Sequence, residues 1–271
     1  RLPPQRIGGR DRNPAPAVHN RALQAKRIDG LYLPFLVSPL QLKDFFLLAE
    51  KLPLQGFSVT IPHKQRILRY LDAIDPLSKR IGAVNTVWRK AGRWRGTNTD
   101  AAGIRVPLEK RTRLGHKSVL VVGNGGAARS AAFTLSAAGA NVTITGRNLD
   151  RVRALAKACG GECLTPEAAA QAQFDILVHA TPVGMWPHAG ESFFTGRIPG
   201  EIVFDLVYTP QRTRLIQLAE EQGKTVICGI EMFVEQALAQ FELFTGAAGP
   251  RAVMEKATPE AIAEQEHRSV A

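Results

Sequence analysis

Three glycines stand close together in the middle of the chain, where an apolar run gives way to an alanine-rich stretch. They follow Ser118–Val122 and can serve a tight turn in which the backbone approaches a phosphate, because a Cβ would block both. A helix that starts there points free N–H groups at the phosphate. The pattern predicts a dinucleotide pyrophosphate site, with a purely structural Gly-rich turn as the alternative. The predicted contacts with the cofactor are Gly123, Asn124, Gly125, Gly126 and Ala127.

Two arginines after the next β-rich run indicate which dinucleotide would bind. An NAD site usually carries Asp or Glu at the end of its second strand, where it bonds the ribose 2′-hydroxyl. Here Asn141–Thr145 is followed by Arg147 and Arg151, which can reach one phosphate together if a helix begins near Asn148. Because arginine donates charge-assisted, bidentate hydrogen bonds to phosphate, the pattern favours NADP. Two solvated arginines at a helix start are the alternative.

Five further polar motifs flank the Gly-rich turn. They are Gly56–Lys64, Gly82–Thr86, Gly96–Asp100, His179–Met185 and Gly229–Gln236. In this order, and together with the turn, they resemble the shikimate dehydrogenase family, with Ser58 and Glu231 as in the enzymes fused behind a dehydroquinate dehydratase. The resemblance implies NADP-dependent, reversible reduction of 3-dehydroshikimate to shikimate, a step of chorismate and aromatic amino acid biosynthesis.

The same resemblance makes Lys64 and Asp100 the catalytic pair. Reduction of a ketone needs a donor or a positive charge beside the developing alkoxide, which the Lys64 ammonium can supply and Asp100 would orient. Burial lowers the pKa of a lysine and a nearby carboxylate raises it, so the sequence leaves the proton carrier open. For Lys64 taken alone, a surface lysine after a Pro turn is the alternative.

The resemblance also implies which residues bind the substrate. Thr60, Asn85 and Gln236 would hydrogen-bond its ring hydroxyls, and Asp100 would contact it as well. Amide and hydroxyl groups suit a polyhydroxylated ring because each offers a directional donor or acceptor without adding charge. Tyr208 matches the aromatic neighbour of the substrate, with a core tyrosine as the alternative. Around the cofactor, the resemblance places the nicotinamide beside Thr181 and Met185, and its amide close to Gly229.

The serine pair with which the family grips the substrate carboxylate is replaced in this chain. Asn13 and Ala15 occupy those positions, and the side chain of Ala15 cannot form hydrogen bonds. Loss of a hydrogen bond to a charged group costs about 1.5–3 kcal/mol, or about 10–100-fold in affinity, which Arg10 or Arg12 could offset electrostatically. Arg1–Gly9 also lacks the pattern of the family's buried first strand. We therefore expect weakened shikimate binding beside an intact cofactor site.

The elements that position these residues follow two patterns along the chain. From Ser118 onward, β-rich runs alternate with helical segments, which predicts a Rossmann-type doubly wound parallel sheet. The predicted strands are Ser118–Val122, Asn141–Thr145, Asp175–Ala180, Ile202–Leu206 and Thr225–Cys228. The predicted helices are Ala127–Ala138, Leu149–Ala158, Arg212–Gln222 and Glu235–Phe244.

Before residue 118 the elements are shorter and mixed. The predicted strands are Leu31–Val37, Gly56–Ile61, and a hairpin of Val84–Arg89 with Arg93–Thr97; the predicted helices are Pro39–Leu52 and Lys64–Tyr70. Together the two patterns predict an α/β protein with an NADP-binding domain of residues 103–228. A smaller, discontinuous α/β substrate domain of residues 1–102 and 229–271 would surround it in the chain.

Composition limits the other classes of function. The 271 residues are 45% hydrophobic, with no apolar run long enough to cross a bilayer and no signal-peptide pattern, which favours the cytoplasm, or an organelle if a targeting segment is missing. The cysteines are too few for a disulfide framework, and Cys159 and Cys163 lack further metal ligands nearby. The formal charge of +11 suits anionic small molecules better than nucleic acid, since no nucleic-acid module accompanies it.

Alternatives to a shikimate dehydrogenase remain at this point. Quinate differs only modestly from shikimate, so a quinate/shikimate dehydrogenase is the nearest one. A cofactor-binding homologue with impaired turnover is another, given Asn13 and Ala15. The chain begins with Arg1 rather than Met, which leaves open a longer fused polypeptide, and the sequence does not distinguish a monomer from a homodimer.

Overall fold

The computed structural model describes residues 13–60 and 62–267. In chain order the helices are α1 (Ala15–Ala25), α2 (Leu42–Ala49), α3 (Pro76–Ile81), α4 (Asp100–Glu109), α5 (Gly126–Ala137), α6 (Leu149–Cys159), α7 (Pro166–Gln171), α8 (Arg214–Glu221), α9 (Gly229–Thr245) and α10 (Arg251–His267). The strands are β1 (Gly56–Ser58), β2 (Ala73–Ile74), β3 (Thr86–Lys90), β4 (Arg93–Thr97), β5 (Ser118–Val122), β6 (Asn141–Thr145), β7 (Glu162–Cys163), β8 (Phe174–His179), β9 (Gly200–Asp205) and β10 (Thr225–Ile227).

These elements form two compact units. One comprises the described residues up to Thr99 together with those from Gln236 onward, and the other comprises Asp100–Glu235. The boundaries therefore lie at the start of α4 and within α9, close to the predicted domain limits. No helix in the described part of the chain is long and apolar enough to span a membrane.

The first unit contains a four-stranded mixed sheet in the order β1-β3-β4-β2. Its centre is the predicted hairpin, which is confirmed: β3 and β4 are antiparallel, with Lys90 opposite Arg93. The two linking residues, Ala91 and Gly92, both have positive φ, at 52° and 75°, as the tightest hairpin turns require. Buried aromatic side chains, including Phe46 and Trp94, pack this sheet against α2.

Several predictions for this unit are wrong or only partly right. Leu31–Val37 is not a strand: it pairs with no other segment in the described part of the chain, and Leu31 and Leu33 are exposed. Pro34 removes a ladder donor from its middle, so a continuous run of apolar and aromatic residues was a misleading pattern here. The predicted Pro39–Leu52 helix is shorter, beginning at Leu42, and the predicted Lys64–Tyr70 helix is a 3₁₀ helix, Arg66–Tyr70.

The predicted Gly56–Ile61 strand is likewise shorter, since β1 ends at Ser58 and Ile61 lies outside the described residues. Arg1–Gly9, where the family's first strand was sought, lies outside them as well, as do Arg10 and Arg12. Helices α1, α3, α4, α7 and α10 were not predicted.

The second unit contains the predicted parallel sheet, now with six strands in the order β10-β9-β8-β5-β6-β7. Every strand pair in it is parallel. Helix α5 packs against β5 and β6, and α6 packs against β6 and β7. Consecutive strands run outward from β5 to β7 and then resume at β8 on the other side of β5. This reversal creates a topological switch point between β5 and β8, where doubly wound folds bind their ligands.

A buried histidine in the first unit gives its stability a dependence on pH. His19 in α1 is 1% exposed and stacks on Tyr32, with ring centroids 4.5 Å apart. Burial lowers the pKa of His19 to about 4, and a side-chain hydrogen bond with Gln240 opposes this shift as the smaller of the two effects. The unfolded chain therefore takes up this proton near pH 6.5, before the folded protein does.

We predict that the free energy of unfolding falls as the pH drops from about 6.5 to about 4, by on the order of 3 kcal/mol from this group. The His19→Phe variant keeps a ring in the stack and removes the titrating group. Denaturant unfolding at about pH 7 and about pH 4.5 should therefore show a smaller decrease in the free energy of unfolding for this variant than for the wild type. The exposed His116→Asn variant is the control. An equal loss in the wild type and His19→Phe would contradict the prediction.

Candidate active site

The Gly-rich turn after β5 has the geometry of a phosphate-binding loop. Gly123 has φ of 123°, a conformation that side chains disfavour, and a Cβ there would lie 2.9 Å from the carbonyl oxygen of Ala180. At Gly125, by contrast, a Cβ would meet open space, because the outer side of the turn is uncovered. Gly126 is the first residue of α5, whose first N–H groups have no partners within the helix. The turn therefore offers an open concavity at a helix N-terminus, which fits a pyrophosphate.

The predicted 2′-phosphate site lies at the start of α6. Asn148 caps this helix, because its Oδ1 accepts a hydrogen bond from the backbone N–H of Arg151 at 3.0 Å. Asn124 of the Gly-rich turn approaches the same segment, with Nδ2 3.5 Å from the carbonyl oxygen of Asn148. Arg147 and Arg151 are both exposed, one before and one within the first turn of the helix. The structure thus joins the turn and the arginine pair in one surface region.

The predicted nicotinamide neighbours follow the carboxyl end of β8. Thr181 is half-buried and lies beside the Gly-rich turn, since a Cβ at Gly123 would be 3.2 Å from its Cγ2. Met185 is half-buried in the turn that follows, where its N–H bonds the carbonyl oxygen of Pro182 at 3.1 Å. These residues flank the switch point between β5 and β8, where the fold predicts a ligand.

Gly229, Tyr208 and Asp100 belong to the same unit. Gly229 begins α9 so close to the chain after β9 that a Cβ would lie 2.4 Å from the carbonyl oxygen of Val207. Tyr208 is half-buried, its ring centroid 5.4 Å from that of Phe233. Burial raises the pKa of the Tyr208 phenol, and the charge of Asp100 raises it further. Asp100 is buried at the N-terminus of α4.

The remaining predicted substrate residues belong to the first unit, and the structure brings three of them together. Thr60 follows β1, and its carbonyl oxygen accepts a hydrogen bond from the N–H of His63. The carbonyl oxygen of Lys64 accepts one from the N–H of Val84, at 2.8 Å. The carbonyl oxygen of Asn85 accepts a hydrogen bond from the N–H of Val59, the residue that follows β1, at 2.7 Å. Lys64 and Thr60 are half-buried, whereas Asn85 is buried.

The amide of Asn85 is oriented by its neighbours. Its Oδ1 accepts hydrogen bonds from the N–H of Thr99 at 2.7 Å and from the hydroxyl of Thr86 at 2.8 Å. Nε2 of Gln240, in α9, donates a hydrogen bond to the hydroxyl oxygen of Thr86 at 3.2 Å. Because the carbonyl end is taken up in this way, Asn85 can bind a substrate only as a donor, through Nδ2. Gln236 lies one helical turn before Gln240 and is half-buried.

Asn13 and Ala15, at the predicted carboxylate position, lie at the start of α1. Asn13 Oδ1 accepts a hydrogen bond from the N–H of Ala15, at 3.0 Å, so the side chain is engaged at the start of α1. Ala15 is buried. The carbonyl end of the Asn13 amide is thus engaged, Nδ2 is the end that can donate to an anion, and weakened carboxylate binding stays a prediction.

One feature of the site was not predicted from the sequence. His179 and Asp205 are opposite each other in the register of β8 and β9 and form a buried hydrogen bond. Polar residues at the carboxyl ends of two predicted parallel strands were the available signal. For metals, no group of three or more His, Cys, Asp or Glu side chains is placed to hold an ion within the ranges that the structure describes.

Comparison with known proteins gives consistent matches along the chain. Residues 12–87 match the family described as shikimate dehydrogenase substrate binding domain, and residues 107–184 match shikimate / quinate 5-dehydrogenase. Residues 229–258 match the shikimate 5'-dehydrogenase C-terminal domain. In chain order, the first match lies in the first unit, the second match lies in the second unit, and most of the third match lies in the first unit again.

Individual relatives cover most of the chain. The shikimate dehydrogenase (NADP(+)) of Oleidesulfovibrio alaskensis is 37% identical, over 92% of this chain and 91% of its own length. The bifunctional 3-dehydroquinate dehydratase/shikimate dehydrogenase of Arabidopsis thaliana is 37% identical over 88% of this chain, which matches 42% of that longer protein. A crystal structure of shikimate 5-dehydrogenase from Thermus thermophilus with NADP(H) and shikimate has a TM-score of 0.85 and 33% identity, covering 92% of this chain and 95% of that one.

Proposed function

The chain belongs to the shikimate dehydrogenase family, and we propose that it catalyses the NADP-dependent, reversible reduction of 3-dehydroshikimate to shikimate. The observation that carries the proposal is the second unit's parallel sheet, whose switch point combines an open Gly-rich turn with two exposed arginines at the next helix start. Relatives that share most of the chain are named for this reaction and for this cofactor.

The cofactor would be held entirely by residues of the second unit. The N–H groups at the start of α5 would bind the pyrophosphate, and Arg147 and Arg151 would bind the 2′-phosphate. When bound, NADPH supplies the hydride. Thr181, Met185 and Gly229 would then border its nicotinamide half at the switch point.

Lys64 and Asp100 would perform the chemistry at the substrate carbonyl. The Lys64 ammonium donates a hydrogen bond to the carbonyl oxygen and stabilises the negative charge that develops there as the ketone becomes an alcohol. Asp100 would orient the ammonium and hold it in place. A lysine that is half-buried rather than exposed loses part of its competing hydration, which strengthens both interactions.

The ring hydroxyls would be recognised by directional groups rather than by charge. Asn85 would donate through Nδ2, since its Oδ1 is engaged by Thr99 and Thr86. Thr60, Gln236 and Tyr208 would supply the remaining contacts. Asn13 and Ala15 leave the carboxylate end with fewer donors than the family's serine pair provides, which favours a raised KM for shikimate over a loss of kcat.

The test is an assay of NADP⁺ reduction with shikimate and, separately, with quinate, with NAD⁺ in parallel. We expect shikimate- and NADP⁺-dependent turnover, with a KM that falls by about 10-fold or more in the Asn13→Ser/Ala15→Ser variant. Turnover with quinate instead would favour the quinate/shikimate dehydrogenase. Binding of NADPH without turnover of either acid, in the wild type and in the double variant, would contradict the proposed function.

A further inference from the structure

A buried network of hydrogen bonds joins the carboxyl ends of β8 and β9. His179 is 1% exposed and Asp205 is fully buried, and the two are linked by Nδ1 and Oδ1 at 2.9 Å. The other ring nitrogen of His179, Nε2, is 2.5 Å from Oγ1 of Thr181. Asp205 is itself held by the N–H of Val207 at 3.0 Å and by the hydroxyl of Thr213 at 2.5 Å. One chain of contacts therefore runs from Asp205 through the imidazole to Thr181.

The chemistry of these groups sets the direction of each hydrogen bond. The N–H of Val207 can only donate, so Oδ1 of Asp205 is an acceptor, and the ring nitrogen beside it must carry the proton. A neutral imidazole protonated on Nδ1 is an acceptor at Nε2. The hydroxyl of Thr181 must then donate its hydrogen to His179. The N–H of Val183 donates to the same Oγ1 at 3.2 Å, which agrees with that oxygen being an acceptor toward its other neighbours.

Thr181 is thereby fixed as an acceptor at the position where the fold predicts a ligand. Its only hydrogen is committed to His179, and Oγ1 can offer a further partner nothing except lone-pair density. The residue is half-buried and lies beside Gly123, at the switch point between β5 and β8. The nicotinamide ring carries one kind of hydrogen-bond donor, the –NH₂ of its carboxamide.

We propose that His179 is a positioning residue, which holds Thr181 Oγ1 as the hydrogen-bond acceptor for the carboxamide –NH₂ of the nicotinamide. This inference rests on the proposed use of NADP. The imidazole does not touch the cofactor. It acts by fixing the direction of the Thr181 hydroxyl, and Asp205 acts in turn by fixing the tautomer of the imidazole.

A purely structural network would behave differently. It would hold the Thr181–Met185 turn in place and contribute to stability, but it would be indifferent to the hydrogen-bonding groups of the ligand. The discriminating probe is an NADP⁺ analogue in which an acetyl group replaces the carboxamide, 3-acetylpyridine adenine dinucleotide phosphate. It keeps the carbonyl acceptor and loses the –NH₂ donor. The measured quantity is the ratio of the two dissociation constants, obtained by calorimetric titration without any substrate.

We expect Thr181→Val to lower the preference for NADP⁺ over the analogue by about 10-fold, mainly through weaker NADP⁺ binding, whereas Thr181→Ser retains the preference within about twofold. His179→Leu should also lower the preference for NADP⁺ over the analogue, because the Thr181 hydroxyl is then free to rotate. The control is Thr134→Val, the same replacement at a buried threonine whose hydroxyl has no partner among the residues described.

The possible results separate this inference from the proposed function. A ratio unchanged in Thr181→Val, with NADP⁺ still bound, overturns the inference and leaves the proposed function standing. Equal losses of affinity for both ligands overturn it as well, since a structural role predicts them. Failure of the wild type to bind NADP⁺ overturns both. If His179→Leu does not fold, comparison of Thr181→Val with Thr181→Ser still distinguishes recognition of the carboxamide from a purely structural role.

Discussion

Replacement of Lys64 by alanine is expected to lower kcat for shikimate oxidation by about three orders of magnitude and to leave NADPH binding unchanged. The expected loss is large because, in the proposed function, the ammonium stabilises charge on the substrate oxygen, an interaction strengthened in the transition state. Lys64 is half-buried, and its backbone is fixed to Val84 in the unit that does not carry the Gly-rich turn. Its removal should therefore not disturb the cofactor.

The measurement is steady-state kinetics together with an NADPH binding titration on each variant. Lys51→Ala is the matched control, since it removes an exposed lysine from the same unit and should keep wild-type kcat. If Lys64→Ala lost less than about fivefold in kcat, the role assigned to this ammonium would be wrong. A parallel loss of NADPH affinity would instead indicate a general structural defect.

The Arg147→Ala/Arg151→Ala variant should raise the KM for NADP⁺ by about 100-fold or more and leave the KM for NAD⁺ within about threefold of the wild type. Both arginines are exposed and thus accessible to a phosphate, and each charge-assisted bond removed costs about 1.5–3 kcal/mol. The effect is specific to NADP⁺ because the two cofactors differ only in the 2′-phosphate.

Arg153→Ala supplies the control for this experiment. Arg153 lies on the same helix and is also largely exposed, but it pairs with Asp150 at 3.4 Å. Its removal changes the net charge of α6 without removing a predicted phosphate ligand, so cofactor preference should persist. Equal effects of the double variant on NADP⁺ and NAD⁺ would show that the arginines do not read the 2′-phosphate.

The parallel sheet of the second unit was predictable because its strands are buried on both faces. Such strands read as continuous apolar runs, as in β5, and β5, β6 and β8 were located within a residue or two. Leu31–Val37 is also a continuous run of apolar and aromatic residues, and it was wrongly predicted as a strand. A strand also needs a hydrogen-bonding neighbour, which a local pattern cannot reveal. Helix α10 escaped prediction because Pro259 lies in its interior and suggests an end rather than a middle.

In the candidate site, too, some features were predictable from the sequence and others were not. The Gly-rich turn and the arginine pair are local in sequence, so their spacing carried the prediction of a cofactor site. The network of His179 and Asp205 depends on two residues far apart in the chain that become neighbours only through the register of β8 and β9. The engagement of Asn85 Oδ1 by Thr99 likewise depends on tertiary structure, and it narrows the predicted role of Asn85 to that of a donor.

The proposed function requires that this chain reduce 3-dehydroshikimate with NADPH. The most direct measurement incubates the purified protein with both compounds, follows the loss of NADPH absorbance and identifies the product by chromatography against authentic shikimate. We predict shikimate in amounts equal to the NADPH consumed, formed about a thousandfold more slowly by Lys64→Ala. NADPH that binds to the wild-type protein but is not consumed in the presence of 3-dehydroshikimate would contradict it.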